Sequence, residues 1–168
     1  MTLAPNIPQL ILGIDPGLHG ALALFNIQTH QIQVFDMPIK GGQVDGAMLA
    51  AIVDTCKCWG PIVGVVEQVG SRQRQAHAFS FGLATGIVHG VLSALSVPFS
   101  LLQPAQWKGA VGLRRLTDEA QRQNKARARE LASKLWPAQA DLFKRVKDAD
   151  RAEACLIARH FASKNGWI

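Results

Sequence analysis

The 168-residue sequence predicts an α/β domain of short buried strands alternating with helices. Two apolar runs, LILGI at 10–14 and IVGVV at 62–66, each end in a single carboxylate, Asp15 and Glu67. Runs of that length bounded by turn residues suit strands buried on both faces. Segments of helical periodicity separate and follow them, and 48% hydrophobic content over this length supports one core. The domain is expected over residues 9–168, with residues 1–8 as a loose tail.

The first acid-tipped strand turns at Pro16-Gly17. Asp before Pro-Gly commonly shapes a turn, so on this stretch alone Asp15 reads equally as a turn former and as a carboxylate delivered for chemistry. Residues 20–26 (GALALFN) and 31–36 (QIQVFD) are strand-like and joined by a short polar link, which predicts a three-strand meander with the first run. Residues 44–58 read as a helix with Met48, Leu49, Ile52 and Val53 on one face, closed by Gly60-Pro61. If the two acid-tipped strands are neighbours in the sheet, Asp15 and Glu67 lie side by side.

From Gln75 to Trp107 there is no Asp, Glu, Lys or Arg. About 20 apolar residues suffice to cross a bilayer, but Ser80, Thr85, His89, Ser93 and Ser96 interrupt this run and Pro98 ends it. The expectation is therefore no membrane span, but a buried helix over 72–95 followed by a strand over 99–102. Ala78, Gly82, Gly86, Gly90 and Ala94 recur at every fourth position and share one helix face. Glycine inside a helix costs about 1 kcal/mol relative to alanine, so close packing must compensate, either on the chain's own sheet or in a homodimer interface through Gly82, Gly86 and Gly90.

Residues 103–116 (QPAQWKGAVGLRRL) read as a loop by their Pro and Gly content, carrying Lys108 beside Trp107. Thr117 is a helix cap with Asp118 and Glu119 in the first turn, as the macrodipole prefers. That helix continues to Pro137 with Arg122, Lys125 and Arg129 at three- and four-residue spacings, a basic face that is either solvated or polyanion-binding. Residues 137–143 are a connection, and a last helix, DADRAEACLIARHFA, starts at Asp148. Its Asp150 and Glu153 are three apart and share a face, whereas Asp148 lies where a cap is expected. Alanines 149, 152, 154 and 158 suit tight packing on a sheet.

Net charge is +6, unevenly spread: two Lys against five acids in residues 1–70, −3, and 16 Lys/Arg against seven acids in 71–168, +9. A basic surface in the second part suits a polyanion, because each Lys or Arg placed on a phosphate releases counterions. Cys56, Cys58 and Cys155 are odd in number and lack zinc-site partners, and no secretion signal precedes the first strand, so reduced thiols in a cytoplasmic protein are expected.

Four carboxylates then point to one locus: Asp15 and Glu67 from strand ends, Glu153 and either Asp150 or Asp148 from the last helix. A buried charge must be paired or bound to metal. Oxygen ligands without a His or Cys cluster select Mg²⁺ or Mn²⁺ over zinc. Two such ions can align a water for in-line attack on a phosphodiester and stabilise the leaving oxygen. An acidic metal cluster beside a basic surface is what a nuclease requires.

The set GIDPG, VVEQV, PAQWK, the NKARA helix and KDADRAEACLIA, in this order and spacing, resembles the RuvC family of Holliday junction resolvases, especially its phage and organellar relatives. The resemblance covers nearly the whole chain. It implies a ribonuclease H-like fold, with a five-stranded mixed sheet flanked by helices, and a homodimer that nicks opposing strands of a four-way DNA junction with Mg²⁺. Asp15 and Glu67 match the family's first two catalytic acids and Glu153 the last, where bacterial members have Asp. The third falls on Asp150 by spacing, with Asp148 as the alternative. Lys108 and Lys125 match the family's functional lysines, and the glycine-striped helix its dimer-forming helix. Bacterial members place a base-contacting phenylalanine where this chain has Gly70 followed by SRQRQ. Junction opening is accordingly assigned to Arg72 and Arg74 or to an aromatic elsewhere, and DNA binding to these two with Lys108, Arg114, Arg115, Arg122, Lys125 and Arg129.

Two other readings share the fold: a nuclease for another branched or RNA-containing substrate, and a non-catalytic junction-binding protein. GIDPG also resembles the phosphate loops of actin-like ATPases and sugar kinases, which need a second such loop and a larger two-lobed body. No motif specifies a helicase or phage-encoded partner.

Overall fold

A computed structural model describes residues 8–68, 75–114 and 121–168. Residues 1–7 of the expected tail, the Gly70–Arg74 stretch, Arg115 and the Thr117 cap with its two acids lie outside the described residues.

A five-stranded sheet is built from β1 (Leu10–Asp15), β2 (Ala21–Asn26), β3 (Ile32–Asp36), β6 (Ile62–Glu67) and β7 (Phe99–Leu102), in the order β3-β2-β1-β6-β7. β1, β2 and β3 are the antiparallel meander, and β6 and β7 run parallel to β1. Ile14 pairs with Val66, so the carboxylates that follow them, Asp15 and Glu67, leave adjacent strands at the same end of the sheet. Between β3 and α1 (Gly46–Lys57) lies a small hairpin, β4 (Ile39–Lys40) and β5 (Gln43–Val44), turned by Gly41 and Gly42, both at positive φ. The sequence reading has no counterpart for it, because two-residue strands carry no periodicity.

Alternation along β1 assigns the two faces. Leu10, Leu12 and Ile14 pack with Leu49 and Val53 of α1 and with Ala84, Val88 and Leu92 of α2 (Gln75–Ala94). Ile11 packs on the other face with α4 (Gln121–Leu135) and α5 (Ala149–Lys164). Side chains of a strand alternate with period two, so Gly13 and Asp15 follow Ile11 toward α5. A Cβ at Gly13 would overlap the carbonyl oxygen of Ala154 and lie 2.9 Å from the Ala158 Cβ. The glycine on β1 and the alanines on α5 thus let helix and strand backbones approach closely, which brings the acids of α5 to the sheet end.

Two expectations are corrected. Residues Pro104–Ala110, read as loop, form the short helix α3, with Pro104 in the first turn where its missing N–H costs nothing. Pro137–Phe143 is a 3₁₀ turn, held to the β2–β3 edge by the Trp136 indole on the His30 carbonyl (2.8 Å) and the Gln139 amide on the Ile32 carbonyl (2.9 Å). The α2 stripe does not pack on the sheet. Ala84, Val88 and Leu92 do, while Gly82, Gly86 and Gly90 are exposed and a Cβ on any of them meets nothing within 4 Å. Among the described residues no helix is long and apolar enough to cross a membrane, and the three cysteines are free thiols.

Candidate active site

Asp15 is delivered by the end of β1 and stays buried. The Gly17 N–H donates to its Oδ1 at 3.4 Å, so the turn role and the chemical role fall on the same carboxylate. Burial, then the neighbouring charges of Glu67, Asp150 and Glu153, push its pKa well above the ordinary aspartate value. That three carboxylates act on Asp15 is the physical sign that the four predicted acids converge.

Glu67, at the end of β6, is also pushed up by burial. The Trp107 indole N–H donates to its Oε1 at 2.8 Å. On α5, Glu153 is buried and receives the Lys108 ammonium on Oε2 at 2.9 Å; Lys108 stands on α3, 5.0 Å from the centroid of the Trp107 ring. Asp150 receives the Lys125 ammonium of α4 on Oδ1 at 2.8 Å. Burial opposes the charge on Lys125, but Asp150, with Glu153 and Asp15, holds its pKa above the ordinary lysine value.

Asp148 stands apart from this cluster although it is equally buried. Its carboxylate accepts from the Arg145 backbone N–H (2.7 Å) and guanidinium (2.9 Å), and Arg151 lies 3.6 Å away. Burial raises its pKa, and the Arg145 hydrogen bonds more than offset that, leaving it below the ordinary value. Asp148 does not cap α5 with its side chain; it closes a capping box on the turn Val146–Asp148 before that helix. Arg151 goes on to grip Asp36 at the end of β3 through two hydrogen bonds of 2.5 and 2.6 Å.

The predicted basic residues divide. Arg122 and Lys125 line a hollow of about 400 Å³ with Arg129 and Val146. It adjoins a second hollow of about 500 Å³ in which Lys125, Lys147 and His19 meet Asp150. Arg129, expected on DNA, gives its Nη1 to the carbonyls of Phe143 and Lys144 at 3.4 and 3.1 Å and so anchors the 3₁₀ turn. Arg114 is exposed, and its carbonyl, with that of Gly112, accepts from Arg127.

Sequence reasoning missed the anchoring set around these groups. The buried Asn124 amide donates to the Leu113 carbonyl at 2.8 Å, tying α4 to the loop after α3 and hence Lys125 to Lys108. The i, i+3 spacings of Arg145, Asp148 and Arg151 are the signal that would have taken Asp148 out of the acidic cluster.

Among the described residues no three carboxylate, imidazole or thiol groups are gathered closely enough to hold a metal ion as they stand. Glu153 and Asp150 are turned onto lysines and Glu67 onto an indole. The donor set itself fits a hard cation: oxygen only, four acids that repel one another at the end of a sheet, and a buried Asp15 that a positive charge would relieve.

The mixed five-stranded sheet with helices on both faces has counterparts among solved structures. Two structures of Thermus thermophilus RuvC share it. The one in complex with Holliday junction substrate has a TM-score of 0.59 at 18% identity, with 94% of this chain and 97% of that chain covered. The other has 0.56 at 17%, covering 94% and 96%. The Fowlpox virus resolvase, solved with Holliday junction DNA, gives 0.52 at 15%, covering 93% and 98%. No protein-family model matches the sequence, and the search of curated proteins gives no match.

Proposed function

We propose that the protein is a divalent-metal-dependent endonuclease that resolves four-way DNA junctions by paired symmetric nicks. The observation that carries this reading is the convergence of Asp15, Glu67, Asp150 and Glu153 at one sheet end, with Lys108 and Lys125 on two of them. The fold shared with structures solved on junction DNA points the same way.

Asp15, Glu67, Asp150 and Glu153 would hold two Mg²⁺ or Mn²⁺ ions. Bound there, the ions supply Lewis-acid activation of the attacking water and charge stabilisation of the leaving oxygen. Asp150 is the third acid in preference to Asp148, because Asp148 is already neutralised by Arg145 and Arg151. Lys108 and Lys125, freed from Glu153 and Asp150 when cations arrive, donate to the scissile phosphate and offset its developing charge. Arg122, Lys147 and Arg114 add sequence-independent phosphate contacts on the same side. The exposed glycine stripe of α2 supports a homodimer, since a smooth helix face with none of the described residues against it suits the same face of a second copy.

A labelled four-way junction incubated with the protein and Mg²⁺ should yield paired nicks at symmetric positions. Asp15→Asn should bind the junction with unchanged affinity in a gel shift and nick it slower by on the order of 10²–10³-fold. Unaltered cleavage by that variant refutes the metal-site assignment. Faster turnover of a flap or an RNA–DNA hybrid than of the junction would transfer the activity to that substrate.

A further inference from the structure

The Trp107 indole is wholly buried on α3, and an indole N–H is a donor with no acceptor capacity of its own. A buried donor left unpaired costs free energy, and here the partner is the Glu67 carboxylate, Oε1, at 2.8 Å. A hydrogen bond to a charged acceptor is among the stronger ones, and it fixes the rotation of the carboxylate about its last bond. The same ring lies under the Lys108 ammonium at 5.0 Å, and Lys108 in turn meets Glu153. One side chain therefore touches an acid from β6 and supports the cation that faces an acid from α5.

We infer that Trp107 is a positioning residue of the active site: its N–H aims the Glu67 carboxylate for metal binding while its ring face holds Lys108 over the acidic cluster. The inference rests on Glu67 being a metal ligand. Partners that orient a ligating carboxylate from behind are worth about 10–100-fold in metal affinity or activity when removed.

Trp107 also fills core, so the test must separate the N–H from the bulk. Trp107→Phe keeps an aromatic face for Lys108 and deletes the donor. Benzothienylalanine incorporated in place of Trp107 keeps the full bicyclic volume and deletes only the N–H, which covers the case in which the smaller ring fails to fold. Calorimetric Mn²⁺ titration of each, without DNA, should show affinity weakened about 10–100-fold, with an unfolding midpoint for the benzothienyl protein close to that of the parent. On a four-way junction at saturating Mn²⁺, kcat should fall while KM stays at the parent value, because both replacements keep an aromatic face under Lys108 and leave its phosphate contact in place. Glu67→Gln is run beside them. If it weakens Mn²⁺ binding and both Trp107 replacements bind like the parent, the role of the indole is overturned and the metal site stands. If Glu67→Gln also binds like the parent, Glu67 is not a ligand and both the inference and the reading beneath it fall.

Discussion

Helices α2 and α5 both carry small residues at helical spacing, and the two stripes have opposite fates. The alanines of α5 are buried against β1, where Gly13 leaves room for the Ala154 carbonyl and the Ala158 methyl. The glycines of α2 point away from the sheet and meet nothing among the described residues. A stripe of small residues specifies close approach but not what approaches. The address is written on the partner: β1 offers a glycine at the matching position, and no described element offers one to Gly82, Gly86 or Gly90. On α5 the close approach sets Asp150 and Glu153 against Asp15.

The comparison can be broken most severely at Gly13. Gly13→Ala puts a methyl group into the space taken by Ala154 and Ala158 and should cost about 1–3 kcal/mol in denaturant unfolding, the range for overpacked cores. It should also lower nicking, because α5 must retreat from Asp15; wild-type stability would mean that α5 moves without penalty. Gly86→Ala is the counterpart on α2. With open space around it, the protein at low concentration should gain up to about 1 kcal/mol from helix propensity. The same methyl should hold two copies apart, so sedimentation at higher concentration should show weaker association. Association unchanged by this substitution would move the dimer contact off the stripe.

The smallest effect concerns the clamp that fixes the start of α5 to β3. The Arg151 hydrogen bonds hold the Asp36 carboxyl below the usual aspartate range. Its folded-state pKa lies under the unfolded one, so the stabilisation is full above about pH 4 and lost as pH falls through the folded value. Asp36 is largely exposed, so Asp36→Asn should cost only about 0.2–1 kcal/mol at pH 7, and parent and variant should converge in acid unfolding. A difference that persists at low pH would assign the effect to packing instead of the ion pair.

The strands and three of the converging acids, Asp15, Glu67 and Glu153, were legible because charge and alternation are local signals: an apolar run ending in one carboxylate states both its burial and its exit. The register of Ile14 on Val66 then follows from two such runs pairing in parallel. Helix α3 was not legible, since Pro and Gly content reads as loop unless Pro104 is recognised as a first-turn residue. The choice between Asp148 and Asp150 was not legible either. The two stand side by side at the start of α5, and apart from the i, i+3 spacings of Arg145 and Arg151 about Asp148, it is their surroundings in space that separate an acid held by two arginines from one facing Asp15. Trp107 escaped for the reason buried aromatics usually do: its bulk explains its presence, and its single donor is invisible in a sequence.

The docking of α5 on β1 and β2 also sets when the acidic cluster can come into being. The earliest strands to leave the ribosome expose the face carrying Ile11, Ala21, Ala23 and Phe25 until the last described helix is made and folds back over them. Domains fold largely as synthesis proceeds, and contacts between distant segments form late. Asp15 therefore has no full set of neighbouring acids until α5 is made, and the acidic cluster is completed in a single step, with the segment that carries Asp150 and Glu153.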